Sequence, residues 1–315
     1  MSVLVTGGAG LLGSSLVRQL LAKGVQRPVV MDITRSPDRL NDILDEIEYI
    51  NGDLGCFNTT LNVIKQHRPT TIYHIGALLG QVAEDDPAGS IRVNVMGTFY
   101  LMEAARLFEV PQLLFSSSIG IFGEGLENEP EFHDNLLQRP MSFYGVTKQF
   151  NEGTGLFFKR KYGLDYRSIR YPSIVGPGLR EGGIMEYPAA LIEHALKGEH
   201  YTVDAEPTTK IAVIHIEDAA RGIIELSGHP IEKIRTVNYL IDGVKPNLSA
   251  EEMADEVRVK FPGAQIDFGP SPYQEILDTV AKPIDDSPAR AEWGWEPTND
   301  YGQIIEDFIR KAKQD

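Results

Sequence analysis

The sequence predicts an α/β protein: a Rossmann-type doubly wound parallel sheet carrying a smaller C-terminal α/β lobe. Three observations predict it. Short apolar runs alternate with helical patterns through the first half, which calls for right-handed βαβ units and a parallel sheet covered on both faces. The first run leads at once into glycines that open the first helix. Beyond Pro172 the alternation stops, and glycines and prolines cluster at 176–178 and 182–183.

Taken in order, Val3–Val5 reads as a short buried strand, and Leu12, Leu16, Leu20 and Leu21 recur at helical spacing behind it. Pro28–Met31 is a second strand ending at Asp32, Ile47–Ile50 a third and Thr70–His74 a fourth. A helix is expected from about Ile91 to Phe108, opened by acids at Asp85 and Asp86. Gln112–Phe115 is a fifth strand running into Ser116–Ser118, and a helix from about Tyr144 to Tyr162 leads to a sixth strand at Tyr166–Arg170. The later segments Ile211–Ile216 and Ser249–Val259 read as strand and helix, with Asp218–Leu226 returning as a helix. The expected division is a dinucleotide-binding domain over 1–172, with a return segment near 211–240, and a mainly substrate-binding lobe over 173–315.

Composition excludes several classes. Of 315 residues, 42% are hydrophobic and 24% charged, ordinary for a globular chain. The net charge of −15 disfavours nucleic acid and anionic membrane, both polyanions. No apolar run approaches the ~18 residues of a membrane span. A single cysteine, Cys56, allows no intrachain disulfide, reads as a plain thiol and fits a reducing compartment. The opening lacks the basic and apolar regions of a secretory leader, so the expected location is the cytoplasm. Seven histidines without ligand spacing predict no metal. His215 reads first as a packed strand-end histidine.

Gly7, Gly10 and Gly13 follow the first strand with G-x-x-G-x-x-G spacing. Glycines let the backbone turn sharply and approach a pyrophosphate, which meets free N–H groups at the helix start. Leu11 and Leu12 complete that turn. By themselves the glycines also fit a plain strand-to-helix turn. Asp32, about 20 residues on, is placed to hold ribose hydroxyls and to repel a 2′-phosphate, so NAD is expected over NADP. Asp53 and Leu54 either reach the adenine edge or cap a strand end.

Tyr144 and Lys148 stand four apart, on one face of a helix. A phenol of pKa ~10 needs a nearby cation to act as a base, and Lys148 is expected to supply it. Ser118 ends the fifth strand at the carboxyl edge of the sheet, where open α/β sheets bind ligands. Its hydroxyl is expected to hold the substrate oxygen while Tyr144 exchanges the proton. Singly these are a helix-surface pair and a polar loop; in this order behind the glycine turn they call for hydride transfer between NAD and a secondary alcohol or ketone.

The sequence resembles the extended short-chain dehydrogenase/reductase superfamily along nearly its whole length. The matching residues are Thr6–Gly13, Asp32, Asp53, His74–Ala77, Asn94–Thr98, Ser116–Gly123, Tyr144–Lys148 and Arg170–Gly176. The resemblance implies a catalytic set of Ser118, Tyr144 and Lys148. It implies that His74, Gly76 and Ala77 run along the cofactor and that Tyr171, Pro172 and Ile174 lie against the nicotinamide amide. It further implies that Asn94 supports the site and that the helices 94–108 and 144–162 pair in a homodimer. Within the superfamily the chain looks most like short-chain L-threonine 3-dehydrogenases, on His74–Leu79, Ser168–Pro172, Glu186-Tyr187 and Ile284–Arg290 running into Trp293–Trp295. The substrate residues carried over are Leu79, Gly80, Gln81, Ser118, Ile119, Tyr144, Ile184, Met185 and Glu186. Two stretches depart from that pattern. Gly80-Gln81-Val82 stands where those enzymes usually carry Ser-Ala-Thr, and Ile184-Met185-Glu186 precedes Tyr187 where they carry Thr-Thr-Asp. The expected reaction is oxidation of a small hydroxy acid, L-threonine first and a related hydroxy substrate next. An epimerase or dehydratase of nucleotide sugars with tightly held NAD is the alternative, and a non-catalytic NAD sensor the third reading.

Overall fold

The computed structural model describes residues 2–178 and 185–313. Ile184, expected in the substrate pocket, lies outside the described residues. The strands are β1 (Val3–Thr6), β2 (Val29–Asp32), β3 (Glu48–Asn51), β4 (Thr71–His74), β5 (Gln112–Ser118), β6 (Asp165–Tyr171), β7 (Ser173–Val175), β8 (Tyr201–Val203), β9 (Val213–His215), β10 (Asn238–Leu240) and β11 (Ile266–Phe268). Seven form one sheet in the order β3-β2-β1-β4-β5-β6-β10. Every pairing in it is parallel. The strand order reverses between β1 and β4, which opens a crevice at their carboxyl ends.

Burial on both sides explains the unbroken apolar strands. On one face Leu12, Leu16, Val17 and Leu20 of the helix Leu11–Ala22 pack with Ile223 and Leu226 of the helix Ile216–Gly228. On the other, Val63, Ile64, Leu101, Met102 and Phe158 come from the helices Phe57–His67, Gly97–Leu107 and Phe143–Tyr162. A separate core joins β8 to the helices Tyr187–Lys197, Ala250–Lys260 and Tyr301–Ala312. The chain crosses back to the main sheet twice. β10 pairs with β6, and Trp293 and Trp295 bury in the core of the first sheet face. Strand β9, by contrast, pairs with β7 outside the main sheet.

Local chemistry fixes the helix that matters most. Ser142 caps Phe143–Tyr162 by accepting the Gly145 N–H at 3.0 Å, and Gly163 ends it at φ +73°. No helix among the described residues is long and apolar enough to cross a membrane.

Candidate active site

The cradle follows from backbone geometry. Gly7 sits at φ +68° and donates its N–H to the Met31 carbonyl at 2.8 Å. A Cβ on Gly7 would stand 2.4 Å from the Gly76 Cα, and one on Gly13 would stand 2.1 Å from the Gly7 carbonyl oxygen. A Cβ on Gly10 would meet only that same oxygen, at 3.2 Å. The space before the helix Leu11–Ala22 is therefore open, its N-terminus has no side-chain cap, and no acid stands in the first turn. A pyrophosphate fits that arrangement of free N–H groups and bare glycines. Asp32 accepts the Ala9 N–H at 3.0 Å and the Thr34 N–H at 3.1 Å, which locks its carboxylate beside the glycine turn. The spare lone pairs can accept ribose hydroxyls.

At the carboxyl end of β5, Ser118 caps the short turn Ile119–Ile121, its Oγ accepting the Gly120 N–H at 3.0 Å. Gly120 and Gly145 let this turn and the Tyr144 helix meet: a Cβ on Gly145 would fall 2.0 Å from the Gly120 carbonyl oxygen. Ser118 Oγ and the Tyr144 ring both lie within 4 Å of a Cβ placed on Gly120, and the serine hydroxyl favours the ionised phenol. Burial acts the other way and prevails, so the phenol stands above its ordinary value. Lys148 lies 5.4 Å from the Tyr144 ring centroid and 4.7 Å from that of Phe115. Its ammonium donates to the Ser116 carbonyl at 2.5 Å rather than to the phenol. Burial pushes this amine down to about 7, against the pull of Glu152. The three members of the set meet, and desolvation of the phenol outweighs the Ser118 contact.

The family model for the NAD dependent epimerase/dehydratase family matches residues 3–239, which span both the cradle and the Ser118–Tyr144–Lys148 set. The chain belongs to this family. The mitochondrial L-threonine 3-dehydrogenase of Bos taurus is 29% identical over 306 residues, covering 96% of this chain and 80% of that one. The structure of an L-threonine dehydrogenase from Phytophthora infestans matches with a TM-score of 0.90 and 28% identity over 100% of this chain and 99% of its own. A UDP-glucose 4-epimerase from Thermus thermophilus, in complex with NAD, matches with 0.83 and 25% over 98% and 99%.

In this family member the remaining expected residues divide by what holds them. His74 is buried between two hydroxyls, with Nδ1 2.7 Å from Thr6 Oγ1 and Nε2 2.8 Å from Thr98 Oγ1. Thr98 donates to the Asn94 carbonyl, so it accepts the Nε2–H, and Thr6 donates to Nδ1. Burial pushes His74 down to about 3, with Lys148 adding to the effect. Its imidazole therefore braces β1 and β4 and presents no edge to a ligand, whereas Gly76 lies directly against the glycine turn. Asp53 accepts from the Gly55 N–H at 2.8 Å and from Arg92 at 2.6 Å, and Leu54 packs over Gly76. Asn94 sits in a π-helical turn, Ile91–Met96, and clasps Leu78 through both its N–H and carbonyl. Such a turn is a recurrent mark of a functional position. Tyr171 turns its hydroxyl into the core, onto the Ala219 carbonyl at 2.9 Å, while Pro172 is buried and Ile174 packs, partly buried, against the core of the first sheet face. Met185 is held by Ser173 at 2.7 Å and packs beside Ile119.

Sequence reasoning missed two acids. Glu84 Oε1 accepts the Tyr144 N–H at 3.2 Å. Glu152, buried one turn beyond Lys148, accepts from Ser117 at 2.6 Å and from Arg170 at 2.9 and 2.7 Å. Arg170 also faces Asp134, which burial lifts to about 7 and which accepts the Leu240 N–H at 2.7 Å. The signal for Glu152 was its i+4 step from Lys148; Glu84 left no sequence signal.

Proposed function

We propose that this chain is an NAD-dependent dehydrogenase that oxidises the secondary alcohol of a small hydroxy acid, with L-threonine, giving 2-amino-3-ketobutyrate, as first substrate. The observation that carries the reading is the Ser118–Tyr144 pair over a buried Lys148, at the carboxyl end of β5 and beside the glycine cradle. When bound, NAD supplies the hydride acceptor and, in its oxidised form, a positive ring beside the phenol. Ser118 orients the substrate hydroxyl, its own Oγ pinned by the Gly120 N–H. Tyr144 takes the hydroxyl proton as the carbon gives up hydride, and in the reverse direction returns it. Lys148 braces the Ser116 backbone under the pair and holds a cation against it. Gly7, Gly10, Leu11, Leu12, Gly13 and Asp32 hold the cofactor, with Gly76, Ala77, Pro172 and Ile174 along it. Leu79, Gly80, Gln81, Ile119, Met185 and Glu186 surround the substrate.

The named activities of the bovine and Phytophthora relatives support L-threonine. The test is purified protein with added NAD⁺ and a panel of hydroxy acids, amino acids and nucleotide sugars, followed through NADH. Accumulating NADH with a hydroxy acid is the expected result. No NADH, with isomerised nucleotide sugar instead, would place the chain with the epimerases.

The cofactor part comprises residues 1–172 with the return near 211–240, and most of 173–315 serves the substrate. The distinct core around Leu191, Met253 and Ile304 supports that division. We place the enzyme in the cytoplasm as a homodimer. Phe150, Leu156 and Phe157 stand 54%, 42% and 40% exposed on the helix Phe143–Tyr162, and Phe99 stands 37% exposed on the adjacent helix. A groove of about 790 Å³ takes these four together with Val146 and Phe158 into its lining, beside polar groups such as Gln138 and Gln149. Pairing with a second copy would cover it. Phe150→Glu with Phe157→Glu should shift the mass in solution from two chains to one by light scattering; an unchanged dimer would remove this interface.

A further inference from the structure

We propose that Gln81 and Tyr273 form a latch across the mouth of the substrate cleft and so restrict the site to small substrates. The inference rests on the dehydrogenase reading above and names two residues that set its substrate size.

Tyr273 donates its hydroxyl to Gln81 Oε1, joining positions 192 residues apart. Both ends are aimed by their surroundings. The Gln81 amide nitrogen donates to Asp85 Oδ1 at 2.7 Å, which leaves the carbonyl oxygen turned toward Tyr273. The Tyr273 N–H is held by Ser271 Oγ at 3.0 Å. Gln274 next to it donates to Thr209 Oγ1 at 2.8 Å and accepts the Glu206 N–H at 3.0 Å, so Tyr273 stands on a clamped segment.

The two anchors flank the reacting groups. Gln81 belongs to the helix Gly80–Asp85, whose Glu84 holds the Tyr144 N–H. Tyr273 precedes the helix Gln274–Val280, and Val280 packs with Ile119 and Ile121 immediately after Ser118. The bond therefore ties the short helix that holds the Tyr144 N–H to the helix whose far end packs in the same core as Ile119 and Ile121. Gly80, at φ +49°, makes the turn that brings Gln81 into reach. Leu79 and Val82 beside it are 58% and 59% exposed, so the bond stands at an open mouth and not in a packed core. A short hydroxy acid enters beneath a closed latch, whereas an extended substrate must break it.

Tyr273→Phe removes only the hydroxyl and leaves the ring, so folding is not at stake. The expected effect is a fall of about 2- to 10-fold in KM for an analogue extended at its carboxylate, which no longer has to break the bond, the worth of one neutral hydrogen bond, while KM and kcat for the small hydroxy acid stay within about twofold. Gln81→Ala should give the same gain for the extended analogue, and the double variant should add nothing further to it. The preference for the small acid over an analogue extended at its carboxylate should shrink in both. Hydrogen exchange supplies a readout independent of turnover: amides of 80–85 and 271–280 should exchange faster in Tyr273→Phe. Wild-type protein without NADH formation would refute the dehydrogenase reading while exchange still reports on the latch. Unchanged KM for the extended analogue, selectivity and exchange in the Tyr273→Phe protein would overturn the latch.

Discussion

Adding one methyl group at Gly13 should disable cofactor binding while leaving the fold in place. The Cβ of Gly13→Ala would stand 2.1 Å from the Gly7 carbonyl oxygen, 2.6 Å from the Gly8 Cα and 2.9 Å from the Gly7 carbonyl carbon. All three are backbone atoms, so no side chain can swing aside. Restoring ordinary contact moves the turn by about 1 Å or more, since non-bonded carbons prefer ~3.5–4.0 Å. That turn is held by Gly7 N–H on Met31 at 2.8 Å and Gly10 N–H on Gly7 at 3.1 Å, both of which the shift strains. Overpacking of this kind costs about 1–3 kcal/mol. Because the displaced atoms are those facing the pyrophosphate, the cost falls on the bound state and raises the NAD Kd about 10- to 100-fold. Gly228→Ala is the control: nothing lies within 4 Å of its Cβ, and it ends the helix Ile216–Gly228, outside the groove proposed for the dimer. It should bind NAD and melt as wild type does. Calorimetric titration with NAD, alongside thermal melts, measures both. NAD binding of wild-type strength by Gly13→Ala would refute the cradle as drawn.

Two further predictions concern charge. Asp32→Asn keeps the size but loses one of the two acceptors that hold Ala9 and Thr34, together with the negative charge. NAD should bind about 10-fold more weakly and the preference for NAD over NADP should narrow; competition binding of the two cofactors checks it. His74 predicts a pH dependence of stability. Its unfolded form takes a proton below about 6.5, while the folded form resists until about 3. The unfolded state therefore binds more protons in that window, and stability falls as pH drops through it, by about 2 kcal/mol at pH 5. Denaturant titrations of wild type and His74→Gln at pH 7 and 5 should show the variant lacking that part of the slope; equal slopes would contradict the assignment.

Much of this site was legible in the sequence because backbone chemistry wrote it there. β1, β2 and β4 are buried on both faces and so read as apolar runs. The positive φ at Gly7 and the close approach at Gly13 demand glycine, so the cradle shows in letters. The step from Tyr144 to Lys148 shows as helical spacing. Other parts depend on packing that no local pattern encodes. Strands β7, β8 and β11 are three residues each and carry too little periodicity to announce themselves, and although Ile211–Ile216 reads as a strand, its pairing with β7 does not show. Helix Gly80–Asp85 opens on a glycine and has one buried residue, Ala83, so it leaves no amphipathic trace. Asp53 could serve a ligand or a turn equally well by type, and its contact with Arg92, 39 residues away, has no local signature. The raised phenol of Tyr144 is hidden for the same reason, since depth of burial is not visible in sequence.

The account stands on Tyr144 moving the proton while the cradle independently holds the cofactor. The most direct measurement is the pair of kcat and NAD Kd for Tyr144→Phe, which deletes one oxygen from a half-buried ring. A fall in kcat of about 100- to 10,000-fold, with Kd within about twofold of wild type, is the predicted result. Turnover within about threefold of wild type would contradict it.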